Sequence, residues 1–204
     1  CFFAKVILAR HFKLYKFVKN NPLKTYFRQY RPFFIFLFRF FAVYAGLTLI
    51  YKLYLKQFDN LLVFEVDDFT AALANQVQWV LGLLNYKCSL MVHDNQASIK
   101  LFLEGQYVAR IVEGCNALSV MILFAAFVVA FTGKWLRTLV FIVLGSAIIH
   151  LLNIVRIVLL SIALLNYPEQ ENLLHGVVFP LFIYGVVFGL WVVWVNKYSN
   201  YASG

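Results

Sequence analysis

Residues 136–165 read LRTLVFIVLGSAIIHLLNIVRIVLLSIALL, and the strongly polar side chains beyond the first turn of this run are His150, Asn153 and Arg156. A helix of this length rises about 45 Å, which exceeds the thickness of the hydrocarbon core of a bilayer. The run therefore predicts a long transmembrane helix that tilts or protrudes from the membrane.

Three other apolar segments flank this run, at residues 33–54, 115–131 and 173–195. Each reaches or nearly reaches the length of about 20 residues that spans a bilayer. The whole chain is 63% hydrophobic and 13% charged, whereas soluble domains carry about 25% charged residues. We therefore predict an all-α polytopic membrane protein with about four to five transmembrane helices.

The possible fifth helix is the apolar segment at residues 69–86. Asn75, Gln76 and Gln78 make this segment amphipathic. A fifth span would also break the charge pattern across the membrane. The pattern favours a helix that lies on or partly in the outer interface, with a transmembrane helix as the alternative.

The sequence pattern changes from helical to extended between residues 87 and 112. Residues 98–103 and 106–112 read as β-strands joined by the turn Glu104-Gly105. Asp94-Asn95 reads as another turn that follows a weaker strand. We predict a small extracytoplasmic β-meander, within an outer loop at residues 57–114.

Basic side chains mark one side of the membrane. They crowd residues 1–32, flank the turn between the second and third spans as Lys134 and Arg137, and follow the fourth span as Lys197. Four spans put these regions on the same side, and the positive-inside rule makes it the cytoplasm. We therefore predict a basic cytoplasmic segment, residues 1–32, ahead of an integral membrane domain, residues 33–197.

The remaining charges and the cysteines argue against a nucleic-acid partner, a metal site and a cofactor. Lys52 and Lys56, at the outer end of the first span, are exceptions to the charge pattern. The net charge of +9 comes from residues beside apolar spans, so we expect no nucleic-acid partner. Cys1, Cys88 and Cys115 are too few and too scattered for a disulfide framework or a zinc site. We expect no metal and no cofactor.

Cys115 is a candidate nucleophile because it begins the second predicted span. The N-terminus of a helix favours negative charge, and the thiolate is the reactive form of cysteine. Cys115 could also be a small packing residue. A disulfide between Cys88 and Cys115 would block the thiol and is not expected.

Arg156 and His175 are expected at the same depth as Cys115, on the outer side. Arg156 lies 19 residues after Arg137, or about 28 Å along a helix, and an ionised group within a span indicates function by default. His175 opens the fourth span, and histidine is suited to proton transfer near neutral pH. The alternatives are an arginine that anchors the helix end and a histidine bonded to the loop backbone.

Three nearby polar residues have less specific interpretations. Asn153 lies one turn from Arg156, on about the same face. His150 is expected to pack in the membrane and to hydrogen-bond across helices. Glu113 is expected to be a solvated loop carboxylate, with Arg110, Arg156 or His175 as alternative partners.

Three stretches together resemble the exosortase/archaeosortase family: VEGCNAL at residues 112–118, NIVRI at 153–157 and HGVVFP at 175–180. The resemblance covers about residues 30–196. The short chain and the Glu-Gly-Cys-Asn form are most similar to the exosortase F branch. Ala117 departs from the pattern, because many members have Ser-Gly or Gly after the cysteine.

The resemblance implies a role for each member of the motif. Cys115 would be the nucleophile that forms a thioester, Arg156 would stabilise the oxyanion or position the substrate, and His175 would be the general acid and base. Supporting or substrate-positioning candidates are Glu113, Asn116 and Asn153.

The resemblance also implies a reaction, a location and partners. The enzyme would be a cysteine transpeptidase or protease of the bacterial cytoplasmic membrane that cleaves a C-terminal sorting signal, made of a short motif, a transmembrane helix and a basic tail. It would transfer the cleaved protein to an acceptor. Partners would be the sorting-signal proteins and the lipid bilayer, and the resemblance allows a small exosortase-associated protein.

Two other functions are compatible with the residues. One is a non-enzymatic membrane scaffold or transporter subunit in which Arg156 and His175 bind lipid headgroups. The other is a cysteine acyltransferase that acts on lipid-linked substrates through Cys115.

Overall fold

The computed structural model describes residues 29–58, 65–93, 95–131 and 133–198. The predicted basic segment lies almost entirely outside these residues. The chain divides into two compact units, Cys1–Arg39 and Phe40–Gly204. The described part of the first unit is residues 29–39, and the remaining description concerns the second unit and the helix that continues into it.

The described residues are mostly helical, as predicted. The longer helices are α1 Arg31–Leu55, α2 Asp68–Leu83, α3 Leu118–Ala130, α4 Trp135–Asn166 and α5 Phe179–Lys197. By length and composition, three helical stretches can cross a membrane: Arg31–Phe58, Trp135–Asn166 and Pro168–Lys197. These stretches match the first, third and fourth predicted spans.

The second predicted span is shorter than expected. Helix α3 has 13 residues, or about 20 Å, and begins at Leu118 instead of Cys115. Ala117, directly ahead of the helix, has a left-handed backbone with φ 59°, so the regular helix does not extend back to Cys115. The count of four spans therefore stays a prediction.

The predicted β-meander is present with the predicted strand bounds. Strands β1 Cys88–Val92, β2 Ser98–Leu103 and β3 Gln106–Val112 form one antiparallel sheet in that order. Glu104 and Gly105 both have positive φ, 51° and 78°, which is the conformation of a type I′ hairpin turn. Strand β1 is the weaker strand that was expected before the Asp94-Asn95 turn.

Helix α2 holds the sheet against α4. Asp67 caps α2 by accepting a hydrogen bond of 2.9 Å from the Thr70 backbone N–H. The helix buries one stripe, which consists of Thr70, Leu73, Ala74, Val77 and Leu81. The apolar members of this stripe share a core with β2, β3 and the C-terminal half of α4. The predicted helix at residues 69–86 is confirmed, while its place in the membrane interface stays a prediction.

A second core joins α3, α4 and α5. Phe124 and Val128 of α3 pack with Ile149 of α4 and with Val187 and Trp194 of α5. The expected hydrogen bond of His150 across helices is confirmed, since its Nε2 lies 2.8 Å from the side-chain oxygen of Gln76. Together the two cores fix α4 on both sides.

Candidate active site

Cys115 lies at the end of a single 3₁₀ turn, Glu113–Cys115, that follows β3 directly. The prediction that Cys115 begins the helix of the second predicted span is wrong, because α3 starts three residues later. The Asn116 side-chain oxygen accepts a hydrogen bond of 2.9 Å from the Leu118 N–H, and the chain turns at Ala117 before the helix begins. The helix dipole acts within the first turn, so it supports the thiolate less directly than expected.

The backbone at position 117 has a conformation that suits glycine better than alanine. Its φ of 59° lies in the left-handed region, which costs an L-residue about 1–2 kcal/mol. Glycine adopts this conformation without that cost. Ala117 in place of a glycine therefore adds backbone strain beside Cys115.

A buried network holds the Cys115 turn from both sides. Asn116 is 1% exposed, and its Nδ2 donates to the hydroxyl oxygens of Tyr51 at 3.1 Å and Thr70 at 3.2 Å. The Tyr51 hydroxyl in turn donates to Glu113 Oε1 at 2.7 Å. Helices α1 and α2 thus fix the residues on either side of Cys115.

The prediction for Glu113 is wrong, and two members of the network, Tyr51 and Thr70, were not predicted. Glu113 was expected to be solvated, but it is half-buried and bonds to Tyr51. Tyr51 and Thr70 escaped the sequence analysis because a tyrosine near the end of a span and a threonine in a helix carry no distinctive signal. Their importance depends on partners far away in the chain.

Arg156 is connected to Cys115 through Asn153. Asn153 is fully buried on α4, and its Nδ2 donates a hydrogen bond of 2.8 Å to the backbone carbonyl of Cys115. Arg156 Nη1 donates to Asn153 Oδ1 at 3.3 Å. The Nε of Arg156 is buried and has no hydrogen-bond partner among the described residues. This free donor can bind an oxygen atom of a ligand.

His175 lies in a single turn of π-helix, Leu174–Val178, ahead of α5. The Phe179 N–H bonds to the Leu174 carbonyl, five residues back. Pro180 has no N–H, and its ring cannot pack against the carbonyl of Gly176 as a regular helix would require. The helix is therefore wider than a regular α-helix in the turn ahead of Pro180. The wider turn leaves His175 exposed, and such turns frequently occur at functional sites.

Cys115, Arg156 and His175 line the same cavity, which has a volume of about 380 Å³. We call it the Cys115 cavity. Its other walls come from β3, from α4 and from the turn that precedes α5. Residues that were expected only at a common depth are therefore brought to one space by three separate elements.

The other described cysteine lies apart from this cavity. Cys88 is a free thiol that packs against the core between the sheet and α2. Burial raises the pKa of the Cys88 thiol. Cys115 is also free, so no disulfide joins the two.

Lys52 and Lys56, the exceptions to the charge pattern, line a second cavity. Carboxylates share this cavity, namely Glu65, Asp67 and Glu113. Opposite charges in one cavity attract each other. This attraction stabilises the two lysines at this end of α1.

A family model described as transmembrane exosortase matches residues 26–196. The chain belongs to the transmembrane exosortase family. This is a family of membrane proteins that generally resemble cysteine transpeptidases. No curated protein and no solved structure matches the chain.

The exosortase match covers every residue of the Cys115 cavity. It also includes Tyr51, Thr70 and Asn153, whose side chains hold the Cys115 turn. The region that matches the family model therefore contains the whole Cys115 cavity and the residues that hold the Cys115 turn.

Proposed function

We propose that this chain is a membrane-embedded cysteine transpeptidase or protease that cleaves the C-terminal sorting signal of exported proteins and transfers them to an acceptor. The observation that carries the proposal is the cavity shared by the thiol of Cys115, the guanidinium of Arg156 and the imidazole of His175. A nucleophile, a fixed positive charge and a proton-transfer group are what acyl transfer requires.

In the proposed first step, the Cys115 thiol gives its proton to His175, and the sulfur attacks the scissile carbonyl carbon to form a carbon–sulfur bond. The carbonyl oxygen becomes an oxyanion that accepts hydrogen bonds from Arg156, including one from the free Nε. The peptide C–N bond then breaks, and His175 gives a proton to the departing amine. A thioester on Cys115 remains.

In the second step, an acceptor nucleophile or water attacks the thioester. His175 takes the proton of the acceptor and passes it to the Cys115 sulfur as the carbon–sulfur bond breaks, so that both side chains return to their starting states. Asn153, Glu113 and Asn116 would act through position alone, since they hold the Cys115 turn and Arg156 by hydrogen bonds.

The proposed location is the cytoplasmic membrane of a bacterium, with both termini in the cytoplasm and the Cys115 cavity on the outer face. The distribution of lysine and arginine along the chain supports this orientation. A sorting-signal helix would then lie in the bilayer beside the protein, with its basic tail inside. The Glu-Gly-Cys-Asn form of the motif supports a place in the exosortase F branch.

The test is co-expression of the full chain with a reporter protein that ends in a short polar motif, a transmembrane helix and a basic tail. We expect the wild-type chain to process the reporter. Cys115→Ala should abolish processing, and Arg156→Ala or His175→Ala should lower its rate at least about a hundredfold. Immunoblotting of the membrane fraction at equal expression measures the outcome.

Each variant has a control of the same residue type outside the Cys115 cavity: Cys88→Ala, Arg137→Ala and His93→Ala. These three should process the reporter like the wild type. Full processing by Cys115→Ala would contradict the mechanism and would favour a scaffold. An acyl thioester on Cys115 without cleavage of any reporter would favour the acyltransferase.

A further inference from the structure

Strand β3 borders the Cys115 cavity with its edge and not with one face. Every residue from 107 to 112 lines the cavity. Side chains alternate between the two faces of a sheet, so a face contributes every second residue, whereas an edge contributes consecutive ones. The cavity therefore runs along the border of the sheet.

This border has no strand beside it in the part of the chain that the structure describes. The sheet order is β1, β2, β3, so β3 pairs with β2 alone. A bulge in this pairing leaves Val108 without an opposite residue. The regular part of the edge is residues 109–112, about 13 Å of strand. An edge of this kind is a template for pairing with another extended chain.

A second wall of the cavity is apolar and comes from α4. Ile157, Leu160 and Leu164 lie on one stripe of the helix, and all three line the cavity. An extended peptide in this space meets hydrogen-bonding backbone from the sheet and apolar side chains from the helix. Both are needed to bind a peptide as an added strand.

The end of the strand leads directly to the proposed nucleophile. Strand β3 ends at Val112, the turn Glu113–Cys115 follows, and the apolar helix α3 begins at Leu118. The proposed substrate has the same order, since its short motif precedes its transmembrane helix. A substrate that runs in the direction of β3 therefore carries its scissile bond toward Cys115 and its helix toward α3.

We propose that the substrate segment ahead of the scissile bond binds as a fourth strand, parallel to β3 along residues 109–112. This inference rests on the proposed function and adds to it the mode of substrate recognition. Main-chain hydrogen bonds to the edge provide affinity, and pockets for alternate side chains provide specificity. In a parallel pair, every second residue of the added strand directs its N–H and C=O toward its neighbour.

A proline scan of the substrate tests the alternation. The probe is the co-expressed reporter described above, and the enzyme is the full wild-type chain. Proline, and in a matched series alanine, replaces each of the four residues ahead of the scissile bond. Because proline lacks an N–H, we expect processing to fall about tenfold at every second position and much less between them. The alanine series should show no such alternation.

Photo-crosslinking tests the location. A photoreactive amino acid replaces Tyr107 in a chain that also carries Cys115→Ala, so that the reporter stays uncleaved. Met91 is the matched control, because it lies on β1, the other edge strand, and is 58% exposed against 56% for Tyr107. We expect the reporter to cross-link from Tyr107 and not from Met91.

The outcomes separate this inference from the proposed function. Equal sensitivity to proline at all four positions, or equal cross-linking from Met91, would overturn the strand addition. If processing still required Cys115 in that case, the proposed function would stand. Processing that persists after Cys115→Ala would contradict the proposed function and the strand addition together.

Discussion

The side-chain amide of Asn153 donates a hydrogen bond of 2.8 Å to the backbone carbonyl of Cys115. The two residues lie on different elements, a long helix and a 3₁₀ turn. The same amide group accepts a hydrogen bond from Arg156 through its oxygen. One buried side chain therefore sets the distance between the proposed nucleophile and the proposed oxyanion donor.

Asn153→Ala should lower both stability and processing. The change removes two hydrogen bonds at a fully buried position and leaves the Cys115 carbonyl without this partner, so we expect a loss of about 1–3 kcal/mol. Misplacement of Cys115 should slow reporter processing about a hundredfold. Thermal unfolding in detergent and the co-expression assay measure the two effects.

The control for Asn153 is Asn166→Ala. Asn166 lies on the same helix and donates a hydrogen bond of 2.8 Å to the Ile162 carbonyl, but it is exposed. Its replacement should leave processing unchanged. Equal processing by the two variants would contradict the positioning role of Asn153.

Tyr51→Phe should loosen the Cys115 turn. The hydroxyl donates to Glu113 and accepts from Asn116, so its removal leaves a carboxylate oxygen and an amide N–H short of one partner each. We expect a loss of about 1–2 kcal/mol in unfolding free energy and a lower rate of processing. Tyr44→Phe on the same helix is the matched control and should be neutral. A neutral Tyr51→Phe would show that the network does not position Cys115.

Gly145→Ala should disrupt the contact between α3 and α4. A Cβ at Gly145 would overlap the ring of Phe124, which is fully buried. Close approach of helices at small residues is typical of membrane proteins, and we expect overpacking to cost about 1–3 kcal/mol.

Two further variants make this prediction specific. Gly189→Ala, where an added Cβ would meet nothing within 4 Å, should be neutral or slightly stabilising. Adding Phe124→Leu to Gly145→Ala should recover part of the stability. If stability does not recover, the Phe124 ring is not the cause of the destabilisation by Gly145→Ala.

Alkylation of Cys88 should require a higher pH in the folded chain than in the denatured chain. Burial raises the pKa of Cys88, so a smaller fraction of this thiol is ionised at any given pH. The rate of alkylation is proportional to the thiolate fraction. The pH at which this rate is half-maximal should therefore be higher for Cys88 in the folded chain than in the denatured chain. Peptide mapping after iodoacetamide treatment at a series of pH values measures it. Coinciding midpoints would contradict the burial of Cys88.

Loss of processing should follow alkylation of Cys115 and not of Cys88. Cys115 lines the Cys115 cavity and is half-buried, so the reagent can reach it. Chains treated at pH 7.5 should lose reporter processing in proportion to the labelled fraction of Cys115. A Cys88→Ala chain should be inactivated at the same rate as the wild type.

The elements that follow from local rules were predicted closely. Strands β2 and β3 have the predicted bounds because Glu104-Gly105 is a turn whose chemistry is contained in two residues. Helix α4 matches its apolar run within one residue at each end. In both cases the signal is a property of neighbouring residues.

The Cys115 turn was predicted poorly because its shape depends on distant residues. The hydrogen bond from Tyr51 to Glu113 joins residues 62 positions apart, and the bond from Asn116 to Thr70 joins residues 46 positions apart. These bonds hold Cys115 ahead of the helix instead of at its first position. No local pattern of apolar and polar residues encodes such partners.

The order of residues along the chain was sufficient to reveal the membrane class, the hairpin and a thiol, a guanidinium and an imidazole of unusual placement, because hydropathy and turn chemistry act between neighbours. Folding in three dimensions brought those groups to one cavity, tied Asn153 to Cys115 and left the border of β3 open beside it. Packing and hydrogen bonding are short-ranged in space but not in sequence, so such relationships appear when the elements meet.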